Sequence, residues 1–418
     1  MDEPLYKDYV VQEEGKEKIL YLQILRPIYG MLESALIFYR LLVKDSKEYG
    51  FEINPYDPCV ANKIINGKQL TVQWHVDDMK ASHVDHKVLR ELWKWLQSKY
   101  SKHGDVTVTQ GKKHTYLGMN MDYSIPGQVT IDMVDYVKDM VTTFPYKNEL
   151  KDSIASPANI NLCKVNKKAK LLAPDKAKCF HTFVAKGLFL CKRARPDTQT
   201  AIAHLCTRVQ NPNIEDWFKI IRLLTWLKYT QDDSLTLKAD KIDTVHWHID
   251  AAFAVHPDMK SHTGAVMTFN NQGGSIQSMS RKQKVNTKSS TEAELVAVDD
   301  AIGQILWTYY FLLEQGYKTK TVLHQDNKSA ILLEKNGRSS ASKRTRHMNI
   351  RYFYITDQVE KGIIKIQYCS THDMVADYLT KPLHGTPWKK MRQQIMNLKK
   401  DYKYKHKEIA PKIPIANE

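Results

Sequence analysis

Two hydrophobic rhythms alternate along the chain. Apolar and polar residues exchange places every second position in KQLTVQWH (68–75) and TVHWHID (244–250), while TGAVMTF (263–269), SIQSMSR (275–281) and TVLHQDN (321–327) are short runs that can supply neighbouring strands. That period predicts strands with one face against a core. KILYLQIL (18–25) is β-rich, and short strands are expected within 105–124 and 127–133, where Gly and Pro mark the turns. Elsewhere the apolar residues recur at three- and four-residue spacing. SALIFYRLLVKDSKEYG (34–50) predicts a helix stopped by Gly50, HKVLRELWKWLQSKYS (86–101) an amphipathic helix, and 289–316 a long one opened by Ser, Thr and Glu. Two further helices are expected near 180–208 and 213–231.

Two stretches interrupt these rhythms. KVNKKAKLLAPDKAK (164–178) is basic and weakly periodic, as a linker would be, and TQDDSLTLKADKID (230–243) reads as a second junction. After it the order becomes strand, strand, strand, long helix, strand, helix, helix, strand, helix. The chain therefore divides into segments 1–151, 152–239, 240–385 and a basic tail, 386–418, expected to begin as helix and then to fray.

Composition sharpens the picture at three points. The chain has 418 residues and a 42% apolar share, enough for two or three domains with real cores. Sixty-two Lys and Arg against 46 Asp and Glu give a formal charge of +16, which points to a polyanionic partner whose counterions the cations would release. Six cysteines, at 59, 163, 179, 191, 206 and 369, form no Cys-x-x-Cys pair, so neither a zinc ribbon nor a disulfide framework is expected. No apolar run reaches membrane-spanning length, and the charged start MDEPLYKDYV is unlike a secretory signal. Cytoplasm or nucleus is the expected place, with no membrane partner.

The candidate chemistry is carboxylate chemistry. Asp250 closes one predicted strand and Asp326 another, Glu294 lies in the first turns of the long helix, and Asp377 lies in a short helix in HDMVADYLTKP. Strand ends and helix starts can converge on one edge of a sheet. Crowded carboxylates repel unless a cation neutralises them, and oxygen ligands favour magnesium, or manganese in its place. A single acid at such a position is commonly only a turn or cap residue, so the combination carries the reading.

The strings HIDAAF (248–253), TKSSTEAELVA (287–297), HQDNKSAI (324–331), KRTRHMNIRYFYI (343–355) and MVADYLTKPL (374–383) closely resemble the ribonuclease H domain of copia-type retrotransposons. The resemblance implies a mixed five-stranded sheet flanked by helices, and cleavage of the RNA strand of RNA–DNA hybrids by two metal ions held by Asp250, Glu294, Asp326 and Asp377. It favours Glu294 over Glu292. Two residues apart on a helix, these point about 200° away from each other, and Glu292 suits the helix cap. In RTRHMNIRYF (344–353), the residues Arg344, Arg346, His347 and Arg351 match a segment expected to grip phosphate.

The N-terminal half carries a second resemblance. HVDD (75–78) sits between two predicted strands, as in the metal-holding hairpin of a polymerase palm, here with Asp77 and Asp78. RPIYGMLESALIFY (26–39) resembles the reverse-transcriptase segment lining template and incoming nucleotide, with Tyr29 and Gly30 as expected contacts. YDPCV (56–60), TYLGM (115–119) and the connector-like FVAKGLFLCKRARPDTQTAIAHLC (183–206) continue it nearly end to end. His75 replaces the usual tyrosine, and Glu33 stands where many relatives carry Lys or Gln. The resemblance also implies another palm aspartate ahead of the IYGM segment, and no acid in residues 1–25 lies in a suitable apolar strand. The expectation is an incomplete α/β palm and thumb, a helical connector and a full ribonuclease H domain, acting on hybrid and template–primer. DNA synthesis by this chain alone is then expected to be weak, unless an upstream Pol segment supplies the rest. A non-catalytic nucleic-acid-binding relic is the remaining alternative.

Overall fold

A computed structural model of the chain describes residues 4–12, 15, 17–21, 23, 28, 30–101, 104, 106–239, 241–269, 273–337, 349–399 and 402. It divides into two compact units, Met1–Val106 and Thr107–Glu418.

In the first unit a short ribbon pairs β1 (Val10–Val11) with β2 (Ile19–Leu20). The β-rich run from 18 thus yields only two strand residues among those described. Helix α1 (Leu32–Glu48) follows and ends at Gly50, whose φ of 94° is one a side chain rarely adopts. Strands β3 (Glu52–Ile53), β4 (Val60–Ile65), β5 (Lys68–His75) and β6 (Asp78–Ser82) form an antiparallel sheet in sequence order. Helix α2 (His86–Tyr100) is capped by the Asp85 carboxylate, which accepts from Lys87 N at 2.8 Å. The period-two residues Leu70, Val72 and Trp74 meet Leu42 of α1 and Val88 and Leu92 of α2 in one apolar core.

The second unit begins with β7 (Lys113–Tyr116), β8 (Met119–Asp122), β9 (Gln128–Asp132) and α3 (Val134–Thr143). Helix α3 escapes the sequence reading because it is short and sinks only Val137 and Met140. Helices α4 (Pro174–Cys191), α5 (Gln199–Cys206) and α6 (Ile214–Tyr229) replace the two expected. The break falls at Pro196, which cannot continue a helix, and at Arg195, whose buried guanidinium grips Asp197 and the Thr230 carbonyl at 2.9 Å each. The stretch read as a second junction contributes β10 (Leu235–Lys238), which pairs antiparallel with β9 and buries Leu235.

The larger sheet comprises β11 (Thr244–Ala252), β12 (His262–Phe269), β13 (Gln277–Lys282), β14 (Lys320–Gln325) and β15 (Ile364–Tyr368). Its order is β13-β12-β11-β14-β15, with the first two junctions antiparallel and the last two parallel. This is the mixed five-stranded sheet expected from the sequence. Helix α7 (Ser290–Glu314) packs on Val245, Trp247, Ile249 and Leu323. Helices α8 (Lys328–Asn336) and α9 (Asn349–Glu360) precede β15, and α10 (Asp377–Thr380) and α11 (Gly385–Met396) follow it.

Two packing details set up the site. A Cβ at Gly264 of β12 would lie 2.6 Å from Thr380 Cγ2 and 2.8 Å from the Ala376 carbonyl, so the missing side chain is what lets α10 press onto the sheet. Gly264 is also the partner of Asp250 across the β11–β12 ladder. Beyond α10, α11 is no solvated tail. Trp388, Met391 and Ile395 are buried, and the buried Arg392 guanidinium pairs with Asp197 at 3.0 Å and with Asp233. Residues 403–418 of the basic tail lie outside the described residues.

Candidate active site

Asp250 sits near the end of the central strand β11 and is almost wholly buried. Asp326 follows the adjacent parallel strand β14, and Glu294 projects from the second turn of α7. One carboxylate oxygen from each of the three lies within 4.8 Å of the other two. Glu292 does something different. Its carboxylate accepts from Lys288 N at 2.7 Å while its own N–H donates to Ser289 Oγ at 3.2 Å, which closes the start of α7.

Asp377 opens α10, the helix that Gly264 admits. Lys381 Nζ donates to Asp377 Oδ1 at 2.7 Å and lies 3.7 Å from Asp250 Oδ2, so one ammonium serves both acids. Thr380 Oγ1 donates to Asp250 Oδ2 at 2.5 Å. Burial pushes the Asp250 carboxyl above its ordinary range; the Asp377 charge adds to this, while Lys381 and Thr380 oppose it. Glu294 is also held well above its usual value, first by burial and then by the charges of Asp250 and Asp326. Burial alone would pull Lys381 down, yet Asp250 and Asp377 outweigh it and hold the ammonium above its ordinary value. Fully ionised, the cluster would carry more negative charge than its surroundings neutralise, and its donors are hard oxygens. That is the donor set a divalent magnesium-like ion takes. Asp250, Glu294 and Asp326 fit such an ion directly, and Asp377 flanks them.

The hairpin of the first unit is differently made. Asp77 lies in the tight turn between β5 and β6, and Asp78 begins β6 opposite His75. Both acids are exposed. Val76 holds the turn at φ 57°, a costly conformation for a β-branched residue. Among the described residues no third metal-ligating side chain clusters with these two acids. Asp77 also lines a small cavity of about 150 Å³ with Phe38, Trp74, Met79 and Tyr100.

No family model matches the chain. It is 28% identical over 390 residues to the retrovirus-related Pol polyprotein from transposon TNT 1-94 of Nicotiana tabacum, covering 89% of this chain and 28% of that protein. It is 30% identical over 203 residues to the corresponding polyprotein from transposon RE2 of Arabidopsis thaliana, covering 48% of this chain and 14% of that one. The curated proteins it resembles are retrovirus-related Pol polyproteins from copia-type transposons. The chain spans 28% or less of the length of these two relatives. Among solved structures, a foamy viral protease-reverse transcriptase in complex with an RNA/DNA hybrid aligns over 96% of this chain and 44% of its own, at 14% identity and a TM-score of 0.47. The ribonuclease H1 of Halobacterium salinarum aligns over 32% and 93%, at 17% identity and 0.23. Both scores are too low to bear on the fold, which rests on the sheet order itself.

The remaining expected contacts divide by position. Gly30 is described, with φ 93° and, among the described residues, nothing within 4 Å of where a Cβ would lie. Tyr29, Arg344, Arg346 and His347 lie outside the described residues, and Arg351 is described only as part of α9. Asp300 accepts from Thr263 Oγ1 at 2.8 Å and pairs with Arg281 at 2.6 Å. Thr380 and Lys381 are the site residues the sequence reading passed over. Both stand in the string MVADYLTKPL, whose last acid drew the attention. The helical spacing of Asp377 and Lys381, four residues apart, was the available signal.

Proposed function

We propose that residues 240–385 act as a ribonuclease H that cuts the RNA strand of RNA–DNA hybrids, and that residues 1–151 and 152–239 correspond to an incomplete reverse-transcriptase palm and thumb and its connector. The observation that carries the nuclease reading is the meeting of Asp250, Glu294 and Asp326, from three different elements, with oxygens within 4.8 Å. These three, with Asp377 beside them, would hold two magnesium ions, or manganese in their place. Bound divalent ions activate a water for in-line attack and neutralise the charge that gathers on the phosphate. The protein's share is positional. Strands β11 and β14 run parallel side by side and hold Asp250 and Asp326, and α7 brings Glu294 across. Lys381 and Thr380 keep Asp250 and Asp377 oriented. Hybrid would be held by its backbone and 2′-hydroxyls, which the net positive charge favours. Magnesium-dependent cleavage of a labelled hybrid by the purified chain, abolished by EDTA and by Asp250→Asn, is the test. Normal cutting by that variant would remove the site from consideration.

For the first unit the exposed pair Asp77–Asp78, with no third ligand clustered beside it among the described residues, supports weak or absent DNA synthesis by this chain alone. An added Pol segment bearing a further palm aspartate would be required. Robust primer extension by the purified chain would overturn this.

A further inference from the structure

One rung back from the acids, the same sheet carries a second ligand set. On β11, His246, His248 and Asp250 alternate onto one face, and on β14 His324 stands opposite His248 in the parallel register. The His248 and His324 rings stack at 4.3 Å, and His246 Nδ1 and His324 Nε2 are 2.9 Å apart. Cys369, just past β15, is fixed there by its N–H, which donates to the Gln325 carbonyl at 2.9 Å. One ligand atom each of His248, His324 and Cys369 lies within 4.8 Å of the other two. His248 is buried, and among the described residues its Nδ1 has no hydrogen-bond partner. An unpartnered ring nitrogen in that position is costly unless something occupies it.

We propose that His248, His324 and Cys369 form a transition-metal site of the zinc class, separate from the magnesium-type cluster, with His246 orienting His324 from behind. Two imidazoles and a thiolate are borderline-soft donors that select zinc over magnesium. Tetrahedral zinc places such donors roughly 3.3–3.8 Å apart, judging from its bond lengths, so side-chain rotation of about an ångström closes the set. The bound ion would tie β11, β14 and the segment after β15 together immediately below Asp250 and Asp326. It acts as a clamp, and it stands or falls independently of the nuclease reading.

Cobalt(II) is the probe. Added to the reduced, metal-stripped full chain, one equivalent should produce tetrahedral d–d bands and a thiolate-to-cobalt charge-transfer band, both erased by one equivalent of zinc. Cys369→Ser should abolish the charge-transfer band, and His324→Asn should abolish tight binding, with circular dichroism showing each variant folded. His246→Ala, which removes only the orienting partner, should weaken binding by roughly 10- to 100-fold. Asp250→Asn should leave the spectrum intact. Absence of the charge-transfer band in the unmodified chain, its persistence in Cys369→Ser, or its loss in Asp250→Asn would each overturn the site. Should Cys369→Ser not fold, the His324→Asn spectrum decides alone.

Discussion

The two acidic sites of this chain use similar residues in opposite settings. In the second unit, three carboxylates from β11, α7 and the end of β14 meet with most of their surface removed from water, and burial lifts Asp250 and Glu294 above their ordinary titration range. In the first unit, Asp77 and Asp78 come from one hairpin and stand in solvent. A hairpin can supply two adjacent acids but cannot surround a cation. A surround needs acids contributed by other elements, and the large sheet provides them by setting parallel strands side by side and admitting α10 at Gly264. The lesson is that a local acidic motif and a metal-competent cluster are different objects, and topology decides which one a sequence produces.

The largest contrast should appear on removing one charge from each site. Asp250→Asn should lower hybrid cleavage by roughly 10²–10³-fold or more, since it removes an anion on which preorganised charge stabilisation depends. Hybrid binding measured by fluorescence anisotropy in calcium should be little changed. Asp77→Asn with Asp78→Asn should leave cleavage within roughly twofold, as expected of exposed surface positions. If the hairpin pair proved as damaging to cleavage as Asp250→Asn, the two sites would not be functionally separate.

A smaller effect should follow from disturbing the route by which the last acid arrives. Gly264→Ala puts a methyl where Thr380 and the Ala376 carbonyl now sit. Overpacking of this kind costs about 1–3 kcal/mol, read as a fall in denaturant midpoint at unchanged slope. Cleavage should drop further than stability alone accounts for, because Asp377 and Thr380 shift away from Asp250. A variant that is less stable yet cuts normally at low temperature would mean that α10 holds the fold without serving the chemistry.

How much of this was open to a sequence reader depends on range. The strands of the large sheet were legible because short apolar runs, alternating in β11, are local signals, and Asp250 and Asp326 because they stand at the ends of the strings TVHWHID and TVLHQDN. Telling Glu294 from Glu292 needed more than period, since both lie on the buried start of α7, and the resemblance supplied the choice. The role of Gly264 was not legible, because its meaning comes from a helix more than a hundred residues later. Strand β10 was hidden in a polar stretch because only Leu235 and Leu237 mark it, and its partner β9 lies a hundred residues earlier. The break between α4 and α5 could have been read from Pro196. That the tail opens as helix was legible, but its burial as α11 was not, since Arg392 looks solvated until Asp197 and Asp233 are seen beside it.

The smallest expected effect concerns stability against pH, and it separates the two sites without any nuclease assay. In the metal-free fold, Asp250 and Glu294 keep their protons to higher pH than they do in the unfolded chain. Below about pH 3 both states are protonated, and the fold carries no penalty from these groups. As pH rises from there toward neutrality the unfolded chain releases its protons and the folded chain does not. The unfolded state then binds fewer protons, so stability falls with rising pH. The net effect, already reduced by Lys381, should be seen as a downward drift in Tm between pH 5 and 7 in EDTA. Magnesium should reverse the drift at pH 7 by binding the ionised acids, and Glu294→Gln should flatten it. Asp77→Asn with Asp78→Asn should leave the slope as it was. A chelated protein whose Tm rises over this interval would show that the acids are ionised and already satisfied without a cation, and the case for a metal-demanding cluster would be lost.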